Sequence, residues 1–389
     1  MPHEVRDLAV KAVTRGPAHH YFGYYDKFPW DATGRYMLAL ETTFIDRTQS
    51  PNDVAVIGRI DLQNDCRWEP VAETRAWNWQ QGTMLHWLPT APDRCIIHND
   101  RGDTFFSVIR DLKTGKTRRL PRPIYALSPD GKQAVTLNFA RVHRTRPGYG
   151  YCGLPDLWEN EIHPANDGIY WMDVATGENK LIISLAQIVK IQHNDTMDGV
   201  THWFNHLQFN TDGTRFLFLH RWRAADGKRW FTQMFTANHD GSDICCVADH
   251  GMVSHFDWRD PNHILAWAHH NEMGNHFYLY TDQSDEIQIV GKDTLTSDGH
   301  CSYSPDRRWI LNDTYPARED RTRTLMLYRP ADDRRVDIGR FFAPPQYDGE
   351  IRCDLHPRWS RDGKYVCFDS IHEGMRQMYV IDVAEIVEG

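Results

Sequence analysis

A sevenfold repeat constrains this chain more than any other feature of its sequence. A short apolar or aromatic segment, a turn carrying Asp or Gly, and a β-rich run recur along its length. The copies are Phe28 to Gly34 before Tyr36 to Leu40, Trp87 to Asp93 before Cys95 to His98, and Leu127 to Gly131 before Ala134 to Leu137. They continue with Phe209 to Gly213 before Phe216 to Leu219, and Phe256 to Pro261 before Ile264 to Trp267. The last two are Tyr303 to Asp306 before Trp309 to Leu311, and Trp359 to Gly363 before Tyr365 to Phe368. The turn aspartates 31, 93, 130, 212, 260, 306 and 362 are separated by 62, 37, 82, 48, 46 and 56 residues, an irregular but blade-sized unit. Further polar turns, such as Ile109 to Gly115, Met172 to Gly177 and Phe235 to Gly241, punctuate hairpins. Units that cannot bury both faces alone close most economically into an all-β, seven-bladed β-propeller of four-stranded antiparallel sheets around a central channel. A tandem of β-sandwiches is the alternative. The longest interval holds an insertion at about 141–167, rich in Pro, Gly and Tyr. Only six residues follow Val383, too few for a closing hairpin, so Leu8 to Val13 is expected to supply the last blade's outer strand. N- and C-terminal segments would then close the ring, and residues 1–389 read as a single propeller domain.

Composition narrows the function classes. With 25% charged and 41% hydrophobic residues the chain is ordinary globular protein, which excludes disordered and low-complexity readings. Its 53 acidic residues outnumber 44 Lys plus Arg, for a net charge of −9. That balance offers no general attraction to nucleic acid or anionic membrane, so neither partner is expected, and an anionic ligand needs a local basic site. Aromatic residues reach 12%, which favours strands and sugar-facing clefts. Charges run through Met1 to Ala18 and no apolar stretch approaches the roughly 20 residues of a membrane span, so a cytoplasmic protein is expected. The eight cysteines are scattered without the paired spacing of structural zinc sites.

In a propeller, ligand sites gather where the residues ahead of each inner strand and the inter-blade loops line one mouth of the channel. Six of the 21 histidines occupy such points: His20, His86, His206, His255, His300 and His356. Cations and carboxylates accompany them: Arg221 and Arg223, Arg352 and Asp354, and Asp298 near His300. An arginine fork binds a carboxylate in bidentate fashion, which suits an acidic sugar. Trp77-Asn-Trp79-Gln-Gln81-Gly82 is either a stacking platform for a sugar ring with amides reading its hydroxyls, or filling between blades. The run Arg144 to Tyr151 is expected to overhang the mouth as a lid, with Asn138 and Arg141 near substrate. Tyr24 and Tyr25 either face substrate or pack the inner strand.

The stretches His19-His-Tyr-Phe-Gly-Tyr-Tyr-Asp26, Asn205-His-Leu-Gln-Phe209, Val253-Ser-His-Phe-Asp-Trp258, Gly299-His-Cys-Ser-Tyr-Ser304 and Leu355-His-Pro-Arg-Trp359 resemble, in order, those of the oligogalacturonate lyases. Those are cytoplasmic seven-bladed propeller enzymes that split uronate oligosaccharides by β-elimination. The resemblance implies that His255 is the proton-abstracting base, His206 a substrate-site histidine, and Arg221 or Arg223 the arginine facing the uronate. It also implies a divalent metal, manganese, held in the family by three histidines and a glutamine. His300 and His356 match two of these ligands, Asp354 stands where a third histidine is expected, and Ile351 where the glutamine would be. Either Asp354 completes a different coordination set or the metal is absent.

Abstracting the C5 proton of a uronate requires neutralising the adjacent carboxylate, by metal or Arg, and a base that is neutral near pH 7. The acid assisting departure of the C4 oxygen is His206, Tyr24, Tyr25 or a water. The expected catalytic set is therefore His255, His206, Arg221, Arg223 and Tyr24. His20, Tyr25, Trp79, His86, Arg141 and Arg352 are expected to bind the acidic oligosaccharide, and His300, Asp354 and His356 to bind metal. Two other classes stay open: a glycoside hydrolase using two of Asp26, Asp257 and Asp354, and a noncatalytic propeller that binds glycan or protein.

Overall fold

The repeated turn has a simple wiring. Ser128, Ser304 and Ser360 each accept, through Oγ, the amide proton of the residue five positions on (Gln133, Trp309, Tyr365), at 2.9–3.0 Å. Asn210 and Asp31 do the same for Arg215 and Tyr36 with a side-chain oxygen. Asp130, Asp306 and Asp362 accept the serine hydroxyl and the amide two residues later, closing the turn from inside. Asp31 thus takes the serine's place rather than that of Asp130, which puts the first copy two residues out of register with the others.

In the computed structural model, which describes residues 3–389, these turns join the first and second strands of seven sheets. The architecture is a seven-bladed β-propeller of four-stranded antiparallel sheets. The segment ahead of each turn is the innermost strand: His19–Tyr21, His86–Trp87, Ala126–Leu127, His202–Phe209, Val253–Asp260, Ser302–Tyr303 and Arg358–Trp359. The β-rich runs that read as inner strands, Tyr36 to Leu40 and its counterparts, are the second strands. Several true inner strands hold only two residues, too few to show an alternating pattern.

Indole N–H groups stitch the blades together. Trp87 donates to Pro29 O of the preceding blade, Trp258 to Gln208 O and Trp359 to Ser302 O, at 2.8–3.3 Å. Each ring fills the space between sheets while its one donor is satisfied. The ring closes as expected: Val10–Ala12 pairs antiparallel with Gln377–Asp382, Val10 opposite Ile381, as the fourth strand of the seventh blade. One addition was not legible beforehand. Glu4–Val5 runs parallel to Arg334–Phe342 and gives the sixth blade a fifth strand.

The insertion opens with a helix, Phe139–Thr145, capped by Asn138, whose side chain accepts the Arg141 N–H. Arg141 is buried and fully engaged: it bonds His202 O, Asp156, and the carbonyls of Trp158, Glu161 and Ile162, pinning the following loop to the fourth blade. All eight cysteines are free thiols. Among the described residues no helix is long and apolar enough to cross a membrane.

Because the seventh blade borrows its outer strand from the start of the chain, removing residues 1–13 should lower the thermal midpoint by about 2 °C or more, since each kcal/mol lost shifts it by roughly 2–4 °C at 150–250 residues and by less in a longer chain. An unchanged melting curve would show that the ring does not depend on this clasp.

Candidate functional site

Four of the six histidines meet at the hub. His206 lies in a bulge of its inner strand between Asn205 and Gln208, and His255 in a similar irregularity between Val253 and Phe256. His300 and His356 stand two residues ahead of the first residue of theirs. His206 and His356 adopt left-handed backbone, with φ of 51° and 41°, a conformation that costs a non-glycine residue on the order of 1 kcal/mol. Each histidine stands three residues before the aromatic or large apolar residue that seats its blade: Phe209, Trp258, Tyr303 and Trp359. Ring centroids of His255 and His300 are 4.1 Å apart, and those of His300 and His356 4.4 Å. Tyr24 stacks face to face on His206 at 5.1 Å and meets His356 edge-on at 5.0 Å.

The other two histidines lie elsewhere. At the shared offset the second blade carries Met84, so His86 is two residues out of phase and opens on the opposite mouth of the channel. His20 is buried between the first and seventh blades, one ring nitrogen on Glu41 and the other on Gln377, both at 3.1 Å. Trp79 is packing: its N–H bonds Arg47 O and its ring lies against Trp77, Phe44 and Tyr21. The amides beside it hold the site together instead of facing outward. Gln80 donates to Glu350 O and Arg352 O, and Gln81 to Tyr125 Oη and His206 Nδ1. Arg141, with every branch of its guanidinium engaged in the insertion, is a structural clamp. Tyr25 spends its hydroxyl across the channel, donating to Phe256 O at 2.8 Å and accepting the Phe256 N–H at 2.9 Å. That pair fixes the backbone beside His255.

Of the two arginines, the geometry brings only Arg221 to the hub. Arg223 turns away to Thr145 O and Gly227 O. Arg221 is buried at the hub, its Nε without a partner, and burial together with the neighbouring Arg146 brings its pKa down to about 10, so it is still a cation at neutral pH. Gly23 enters this region against the backbone of Gln81; a Cβ there would stand 2.7 Å from Gln81 O.

Hydrogen bonds give the histidines different tautomers. His255 Nδ1 lies 2.9 Å from the Asp298 carboxylate and donates to it, which leaves a lone pair on Nε2. Burial, and then His300, hold the His255 pKa below its ordinary value, against the opposing pull of Asp298. His206 Nδ1 accepts from Gln81, which places its proton on Nε2, and burial followed by Arg221 keeps the ring neutral. His300 Nδ1 is held by both oxygens of Asp313 at 2.9 and 3.0 Å, leaving its Nε2 buried without a partner. Burial lifts the Tyr24 phenol well above 10, so it stays protonated.

Asp354 sits between two guanidinium groups. Arg352 Nε bonds its Oδ2 at 2.7 Å, and Arg323 Nη2 lies 2.8 Å from Oδ1 without the alignment of a hydrogen bond. Burial alone would raise this carboxyl; Arg352 and Arg323 more than reverse that and hold it well below the usual carboxylate range. Arg352 also bonds the hydroxyl of Tyr149, whose ring rests edge-on against His206. The insertion therefore reaches over the site through Tyr149. Ligand atoms of His300, Asp354 and His356 lie within 4.8 Å of one another, and both His356 nitrogens are buried without partners. Two imidazoles and a carboxylate, with His300 oriented by Asp313 behind it, are a donor set that suits a divalent cation such as manganese. Of the carboxylates weighed for hydrolysis, only Asp354 is here; Asp26 and Asp257 face the opposite mouth. Asp313, Arg323 and Tyr315 carried no signal in the sequence, because they lie on or beside second and third strands and reach the hub only through the fold.

No family model and no curated protein matches the chain. Among solved structures, the oligogalacturonate lyase of Vibrio parahaemolyticus superposes with a TM-score of 0.69 at 15% identity, over 97% of this chain and 94% of that one. An oligogalacturonate lyase in complex with manganese gives 0.69 at 16% identity, over 98% and 95%. The β-propeller domain of the Trilobed protease from Pyrococcus furiosus gives 0.53 at 12% identity, over 94% and 95%. At these identities the likeness is one of fold.

If Asp298 supports the charged form of His255, Asp298→Asn should lower the His255 pKa further and release its tautomer. Long-range proton–nitrogen NMR of the histidine rings reads both, and an unaltered His255 signal would remove Asp298 from the site's electrostatics.

Proposed function

We propose that the chain is a carbohydrate-active lyase that cleaves a uronic-acid-containing oligosaccharide by β-elimination at this mouth of the channel. The observation that carries the proposal is the pairing of a neutral, Asp298-oriented His255 with a buried, under-bonded Arg221 at one hub. The fold shared with two oligogalacturonate lyases supports it.

Arg221, whose Nε has no partner and whose Nη2 makes only a long bond to Val253 O, receives the uronate carboxylate and offsets the charge that grows when the C5 proton leaves. His255 accepts that proton on Nε2, and Asp298 stabilises the resulting imidazolium through Nδ1. The Tyr24 phenol or the His206 Nε2–H then protonates the departing C4 oxygen, and the sugar is left with a C4–C5 double bond. A divalent cation held by His300, His356 and Asp354 would add Lewis-acid charge at the carboxylate. Tyr149 and Arg352, from two different loops, cover the site and exclude water. The substrate class is an acidic oligosaccharide bearing a uronate.

Incubation with a panel of uronate oligosaccharides should yield unsaturated ends absorbing at about 230–235 nm, and His255→Ala should cut that rate by about 10²–10⁴. Release of saturated sugar, or no product across the panel, would overturn the reading. The rate should fall on the acid side as His255 protonates, with a midpoint below the ordinary histidine value of about 6.5, because its pKa is lowered. Manganese in hundredfold excess over its Kd should stabilise the protein by about 3 kcal/mol in thermal melts, and not the His356→Ala variant. Equal shifts in both would remove the metal from this site.

A further inference from the structure

The propeller's other mouth holds a cavity that the elimination chemistry does not use. It encloses about 440 Å³, within the usual range for small-molecule sites, and residues of all seven blades line it. Tyr25 forms the partition: one side of its ring faces His255 and His300, and it also lines this cavity. We propose that this mouth is a second ligand site, for a monosaccharide-sized polyol bearing a single acidic group.

The polar lining is built but incompletely used. Ser302 is more than nine-tenths buried and its Oγ has no partner; His86 Nε2 and Gln208 Oε1 are likewise buried and unbonded. These are a hydroxyl, an imidazole nitrogen and an amide oxygen, the mixed donors and acceptors that read sugar hydroxyls. Three inner strands supply them, so their separation is set by the ring and not by a mobile loop. Aromatic side chains, Phe28 and Tyr303 among them, make the rest of the wall.

Charge selects the acidic group. Lys27, Arg307 and Arg361 face Asp26 and Asp257, three cations against two carboxylates. Both acids are already occupied: Lys27 Nζ holds the two oxygens of Asp26 at 2.8 Å, and Asp257 accepts from Gln208 Nε2 and the Tyr303 N–H, each at 2.8 Å. Burial raises the Asp257 pKa, and Arg307 Nη1 stands 3.8 Å from its carboxylate. Arg361 bonds only Trp30 O, through Nε, so its two terminal nitrogens remain for a ligand. His86 is kept neutral by burial and then by Lys27 and Arg361, so it contributes hydrogen bonding without adding charge. The net excess is one positive charge beside a set of hydroxyl readers.

Titration calorimetry on the full chain tests this with D-glucuronate, D-glucose 6-phosphate and D-glucose. At least one acidic sugar should bind tenfold or more tighter than glucose. That binding should weaken at least tenfold in Arg361→Met and in Ser302→Val, recover in Arg361→Lys, and survive Arg221→Met, which disables the other mouth. Should Arg361→Met fail to fold, Ser302→Val and Arg361→Lys carry the comparison. No acidic-sugar binding, glucose binding as tightly, or a loss confined to Arg221→Met would overturn the site. Absence of lyase activity leaves this titration untouched, so the two readings fail separately.

Discussion

The arrangement depends on one buried carboxylate at the seam of the ring. Asp369, on the seventh blade, receives both terminal nitrogens of Arg358 at 3.1 Å and lies 3.7 Å from Arg376. Arg358 then reaches across the seam to the carbonyls of Gly23 and Tyr24, and Arg376 to Trp79 O. The same group thus joins the last blade to the first and shapes the loop that carries Tyr24 to the hub. An unpaired charge left in such a place would cost about 3–5 kcal/mol, so ring closure and site geometry stand or fall together.

Around the hub, burial acts as a sorting device. It keeps His206, His255 and His356 neutral while Arg221 and Arg352 remain charged, since guanidinium groups hold their protons where imidazoles do not. Neutral bases beside fixed cations are what proton removal next to a carboxylate requires. Asp298, Asp313 and Asp354 each engage a histidine or an arginine instead of adding free negative charge where a uronate would sit. The chain's overall charge of −9 gives no hint of this local excess of cations.

The repeat was legible because turns that bond their own amides must use Ser, Asp, Asn and Gly at fixed offsets, and these leave a trace in sequence; the clasp was legible because six residues after Val383 cannot complete the last blade. The convergence of His206, His255, His300 and His356 was legible for the same reason: repeat-related positions share a radius. His86 misled because two positions of register reverse the side of the hub that a residue faces, and only Trp87, read against Phe209, Trp258, Tyr303 and Trp359, reveals the slip. Arg141 and Trp79 misled because polar or aromatic residues near a loop look alike whether they greet a ligand or pin a backbone. Asp313 and Arg323 were invisible, since their partners lie 13 residues back on a neighbouring strand or at the entry to another blade.

The parallel strand Glu4–Val5 has a practical side. It lies against the outer edge of the sixth blade, where Glu4 also pairs with Arg334, far from the channel axis. That edge is capped by the chain itself and is closed to recruitment by a foreign strand. A tether fused ahead of Glu4 leaves from the rim, so the protein can be anchored to a sensor surface by a point away from both mouths of the channel.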